Sequence, residues 1–199
     1  MKYNNRSIIV GFFTLLVLVI SACSPQELPE TSTAGNAFDR QFIEMMVPHH
    51  EAALEMAKIA QERGDHAEVK QMADAIIAMQ AAEIDQMQDW MDAWYGTRET
   101  PPMDQMPMLT GMEGMAHGAH TMDMAADVEA LRSSAEPFDL AFIDYMILHH
   151  QSALDAANAA LEEAGRVEIK TMAEAILAVQ QDEIDQMKAW RVAWYPDQP

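Results

Sequence analysis

Two stretches of this chain concentrate side chains that bind soft cations. One occurs twice. Met46-x-x-His49-His50 and Met146-x-x-His149-His150 each place a thioether and an imidazole about one helical turn apart, close enough to reach a single ion. The other holds seven methionines and two histidines within 22 residues: Met103, Met106, Met108, Met112, Met115, His117, His120, Met122 and Met124. Thioethers are uncharged, need no deprotonation and prefer Cu(I) or Ag(I) to hard ions. Proline and glycine interrupt this second stretch, so an apolar helix stripe explains its methionines poorly. A hydrophobic tether packed over the rest of the protein is the competing account, and it leaves the two histidines unexplained. The sequence holds no nucleophile with its base, no phosphate loop and no thiol pair, so the residues point to metal binding rather than catalysis.

The elements that must position these groups come from a duplication. Phe38–Tyr95 aligns with Phe138–Tyr195 at a constant offset of 100 without a gap, and 29 of the 58 positions are identical. Within each copy apolar residues recur at three- and four-residue steps, the signature of amphipathic helices. Phe42, Met46, His49, Ala53, Met56 and Ala60 share one face. Val69, Ala73, Ile76, Gln80, Glu83, Met87, Trp90 and Trp94 share another. Gly64-Asp65 marks the turn of the first copy and Gly165, one position later, that of the second. Pro137 suits a first helical turn.

A lone helical hairpin buries little apolar surface, whereas two together make a four-helix bundle around one core. The expected architecture is therefore all-α: a ferritin-like bundle over 36–196, with repeats 38–95 and 138–195 joined by a long Met- and His-rich connection, 96–136. Folding each hairpin at its turn brings His49 level with Gln80 and Glu83, and Met46 near Glu83. The copy brings Met146, His149, Gln180 and Glu183 to the same level. His50 and His150, a quarter-turn round, are expected at partly exposed helix seams.

Buried charge is costly unless paired or metal-bound. Two accounts fit the layer: His49–Glu83 hydrogen-bonded pairs that fix helix register, or a ligand set of Met46, His49, His50, Glu83 and their copies Met146, His149, His150, Glu183. Asp39 and Asp139 are read as carboxylates stabilising helix N-termini. The four tryptophans are read as packing anchors, Met72, Met87, Met172 and Met187 as plain core, and His66 as a solvated loop residue.

The formal charge is −20. Such a surface repels nucleic acid and draws cations. Lys2 and Arg6 followed by the apolar run Ile8–Ile20 have the layout of a secretory signal. Ile20-Ser21-Ala22-Cys23 resembles a bacterial lipobox, and Cys23 is the only cysteine. The expectation is a signal peptide over 1–22, lipidation at Cys23, a flexible tether over 23–35 and an extracytoplasmic body anchored to a bacterial membrane. The metal ion and the membrane are the expected partners; a metal-transfer partner is not specified by the residues.

The doubled pattern carried by Asp39, Phe42, Met46, His49, His50 and Ala53, then by Met72, Ala73, Ile76, Gln80, Glu83, Ile84, Met87 and Trp90, resembles the "domain of unknown function 305" family. Positions 100 higher repeat it. The resemblance implies a ferritin-like four-helix bundle in secreted bacterial proteins, some of them similar to periplasmic copper-binding proteins. The chain departs from oxygen-activating ferritin-like enzymes, which place Glu-x-x-His on two helices: here Gln86 and Gln186 follow Glu83 and Glu183 at that spacing. The functional expectation is a non-enzymatic protein that sequesters or transfers Cu(I) or Ag(I) in copper homeostasis or tolerance. The alternatives are a metal-oxidising bundle and a structural envelope bundle without metal.

Overall fold

Helix-forming residues fill both repeats, and they form the helices the periodicity requires. The computed structural model describes residues 33–109 and 123–197, and among them every regular element is helical: α1 (Thr33–Arg63), α2 (Ala67–Tyr95), α3 (Met124–Arg132), α4 (Phe138–Glu163) and α5 (Val167–Trp194), with a 3-10 turn at Met103–Gln105. The α1–α2 and α4–α5 hairpins are antiparallel, and α1 also packs on α4. Helix α1 runs through Pro48, which leaves the carbonyl four residues back without its usual amide partner. It begins at Thr33, inside the segment expected to be a tether.

The hairpin turns fall in the same register in both copies, residues 64–66 and 164–166. The shift of glycine from 64 to 165 does not displace the turn, because neither glycine supplies a left-handed conformation; the positive φ belongs to Gly96, which ends α2 at 73°. Gly64 is instead required by space, since a Cβ there would meet the Ala60 carbonyl oxygen at 2.7 Å.

The core is divided in two. One apolar cluster joins Phe42, Met46 and Met87 of the first hairpin to Ala157, Ile169 and Ala173 of the second. The other joins Ala57, Val69 and Ala73 to Phe142, Met146 and Met187. Each cluster takes the open end of one hairpin and the turn end of the other. Neither hairpin therefore owns a core, and burial of the fully enclosed Phe42 and Phe142 stabilises both copies at once, by about 2–3 kcal/mol per side chain.

The described parts of the connection are tied to the bundle by specific contacts. Asp123 caps α3 by accepting from the Ala126 N–H at 3.0 Å, a common helix-start contact. Arg63 at the end of α1 then donates to the carbonyls of Arg132 (2.7 Å) and Ser134 (2.9 Å). Leu109, Met124 and Leu131 are buried, so the described parts of this segment lie on the bundle as an apolar strap.

Candidate metal centre

Between the two apolar clusters lies one polar layer. His49, His50, His149 and His150 are all buried, as are Gln80 and Gln180. The layer marks the pseudo-twofold of the duplication, and the rings of His49 and His149 meet there with centroids 3.8 Å apart. Each is 6.1 Å from its neighbour, His50 or His150.

The bonding assigns the ring protons. His50 Nε2 lies 2.9 Å from Glu83 Oε2 and His150 Nε2 lies 2.8 Å from Glu183 Oε2; an ionised carboxylate only accepts, so both nitrogens carry hydrogen. His149 Nε2 reaches the His49 carbonyl oxygen at 3.0 Å and must donate as well. Ser152 Oγ gives its single proton to the His149 carbonyl at 2.7 Å. It is therefore an acceptor for His49 Nε2, also at 2.7 Å. In all four rings Nε2 is the donor, and a neutral ring then leaves its lone pair on Nδ1.

All four Nδ1 atoms are buried without a hydrogen-bond partner, as are both amide atoms of Gln80 and Oε1 of Gln180. Buried polar atoms are nearly always satisfied, so a group of orphans at one level requires an occupant or a cause. Burial first, and the neighbouring imidazoles second, hold His49 and His149 well below the ordinary histidine range. Both rings are thus neutral at pH 7, the form that binds metal.

A ring that donates through one nitrogen to a carboxylate or carbonyl and keeps the other free is the arrangement that orients metal-ligating histidines. Among the described residues no three His, Cys, Asp or Glu side chains are gathered as a ready-made cage. The donor types, neutral imidazole with the thioethers of Met46 and Met146 wholly buried in the flanking clusters one turn away, are those that suit a soft ion satisfied by few ligands.

Several placements differ from the sequence reading. Glu83 pairs with His50, not His49, and His50 and His150 are fully buried rather than at partly exposed seams. The reason is that α1 is covered on two sides: α2 takes the face bearing His50, and α4 takes the face bearing His49. Asp139 lies in the first turn of α4 as read, whereas Asp39 does not lie in the first turn of α1, which begins at Thr33. Asp139 accepts from the N–H groups of Asp65 and His66 at 3.0 and 2.8 Å, and Asp39 from that of Gly165 at 3.0 Å, so each buried carboxylate closes the turn of the opposite hairpin. His66 is solvent-accessible, its side chain 38% exposed, but also pinned: its Nδ1 is 2.6 Å from Asp139 Oδ2 and its ring stacks on Trp194 at 3.8 Å. Arg166, its counterpart 100 residues on, lies over Trp94 at 4.0 Å. Ser152 was missed. Its signal was a hydroxyl on an apolar stripe where the first copy has Ala52.

The connection methionines divide. Met124 is buried in the second cluster, Met103 and Met106 are half-buried against the core, and Met108 is exposed. Met112, Met115, His117, His120 and Met122 lie outside the described residues, as do Cys23 and residues 1–22. No described helix is long and apolar enough to cross a membrane.

The fold and layer define a class: a helical bundle built from two copies of one hairpin, with a histidine layer on its pseudo-axis. A family model described as "Domain of unknown function (DUF305)" matches residues 31–191, and the chain belongs to that family. It is similar to CopM, solved in a Cu(I)-bound form (34% identity, TM-score 0.64, covering 79% of this chain and 97% of that one). For the Cu(II)-bound form of CopM the identity is 39% at the same TM-score and coverage. CopM has also been solved with silver. A DUF305 fragment from Deinococcus radiodurans matches at 27% identity and TM-score 0.60, covering 76% of this chain and 93% of that one. No curated protein sequence matches significantly.

Proposed function

We propose that this protein binds Cu(I), and Ag(I) by the same chemistry, and serves copper homeostasis by sequestering the ion or passing it on rather than by catalysing a reaction. The observation that carries the reading is the set of four buried imidazoles, each committed through Nε2 and each with an unpartnered Nδ1. The likeness to CopM in metal-bound forms supports it. The His50–Glu83 and His150–Glu183 pairs serve a second purpose, since each ties the two helices of its own hairpin in register and orients the ring that would bind metal.

In the same reading the connection adds weaker sites at Met108, Met112, Met115, His117, His120 and Met122, while Met103, Met106 and Met124 are held largely by packing. Cys23 carries the lipid that anchors the body to a bacterial membrane, outside the cytoplasm. Palmitate labelling of wild type and Cys23→Ser tests the anchor: label on wild type alone is expected, and equal labelling would remove it.

Competition with a chromophoric Cu(I) chelator tests the metal reading. Wild type should retain copper, and His50→Gln should retain less at unchanged helix content, because glutamine can still donate to Glu83 but has no Nδ1. Oxygen consumption on adding Cu(I) or Fe(II) is expected to be stoichiometric at most; sustained turnover would make the protein an oxidase.

A further inference from the structure

The His layer is sealed on most sides. Apolar clusters close it above and below. The α1–α4 contact is occupied by the closely approaching, mutually tilted His49 and His149 rings and the Ser152 hydrogen bonds. The α1–α2 and α4–α5 hairpin seams are tightly packed, whereas α2 and α5 make only sparse contact.

On that seam lies a cavity of about 10 Å3, room for roughly one water-sized sphere. Its lining is two sets of equivalent residues, Ile76, Met79, Gln80 and Glu83 from α2, and Ile176, Val179, Gln180 and Glu183 from α5. Gln80 and Gln180, which line this space, are the two glutamines of the layer with unpartnered buried amide atoms. Glu83 and Glu183 are 14% and 15% exposed while the rings they hold are fully enclosed, so each carboxylate spans from the seam to the layer. At the outer edge Met79 is 47% exposed, the single thioether in this lining; the duplicate has valine at that place.

We infer that the α2–α5 seam is the route by which a soft cation reaches the histidine layer, and that Met79 is the capture ligand at its mouth. The inference rests on the proposed metal reading of the layer. An ion arriving in water meets the Met79 sulfur first, exchanges hydration for the amide oxygens of Gln80 and Gln180, passes between the two carboxylates and ends on imidazole nitrogen. Every exchange replaces one neutral or anionic donor by another, so the ion keeps a donor as it passes the apolar Ile76 and Ile176 of the same lining.

The test is the rate of loading. Full-length protein is mixed with Ag(I), exposed sites are stripped at intervals with excess free methionine, and the retained silver is counted. The 15N signals of the His49 and His149 rings report arrival in the layer. Met79→Val should slow retention by at least about threefold and leave the final amount unchanged. Adding Val179→Met to that variant should restore the rate, because it returns a thioether to the mouth from the opposite helix. An unchanged rate in Met79→Val, or a loss that Val179→Met does not restore, overturns the route. Wild-type ring signals that never respond to silver overturn the metal reading itself, and the route with it.

Discussion

At the scale of single residues the account turns on which nitrogen of each histidine is free. Glu83, Glu183, Ser152 and the His49 carbonyl each engage Nε2, and that division makes separable predictions. Glu83→Gln keeps an acceptor but loses the charge that strengthens the bond. Metal affinity should fall about 10- to 100-fold, with a stability loss of about 1–2 kcal/mol; chelator competition and thermal melting on the same sample measure both. The pH dependence follows from His49 and His149, whose proton affinity is depressed in the fold by burial. Above the ordinary histidine value of about 6.5 both folded and unfolded states are unprotonated and the two rings have no effect. Below it the unfolded chain takes up protons that the folded layer refuses, so stability is lost as pH falls. Melting curves of the apo protein from pH 8 to 5 should show this loss, and a His49→Gln/His149→Gln variant should lack that part of it. Identical pH profiles would contradict the buried neutral rings. The ring pairing itself was only half legible in the sequence. Periodicity put the histidines and glutamates in one layer, but it treats a helix as having one buried face, and α1 has two.

At the scale of elements, the duplication, the four long helices and their turns were readable because apolar period and helix propensity agree along both copies. Helix α3 and the cross-hairpin caps were not. Asp139 closes a turn 73 residues away and Asp39 one 126 residues away, and no local pattern encodes a partner at that distance. These carboxylates satisfy buried turn N–H groups, so Asp139→Asn, which leaves one N–H or the His66 contact unmet, should cost about 1–3 kcal/mol; thermal denaturation measures it. The connection was read from composition alone. Its described methionines are partly packing residues, because a segment with Leu109 and, on α3, Leu131 at its apolar positions can lie on a bundle as readily as hang in water. Changing Met108, Met112, Met115 and Met122 together to leucine conserves bulk while removing thioether sulfur. Cu(I) capacity should fall with the melting temperature unchanged; equal capacity would confine binding to the bundle.

At the scale of the molecule, the two apolar clusters are each shared between hairpins, and the histidine layer exists only where the copies meet. Metal affinity and folding are therefore coupled: an ion that binds only the assembled layer stabilises it by mass action. A net charge of −20 adds a cation-attracting field that salt screens within about 10 Å at 0.1 M ionic strength. Loading should slow as salt is raised while the affinity of the buried layer changes little. The central claim is that the free Nδ1 atoms of the layer hold the ion. Its most direct measurement is 15N spectroscopy of the imidazoles while folded, full-length protein competes for Cu(I) against a weak chelator. The account predicts retained copper with Nδ1 signals of the layer histidines displaced and their Nε2 protons kept. Copper held with every layer Nδ1 undisturbed, or no copper held at all, would contradict it.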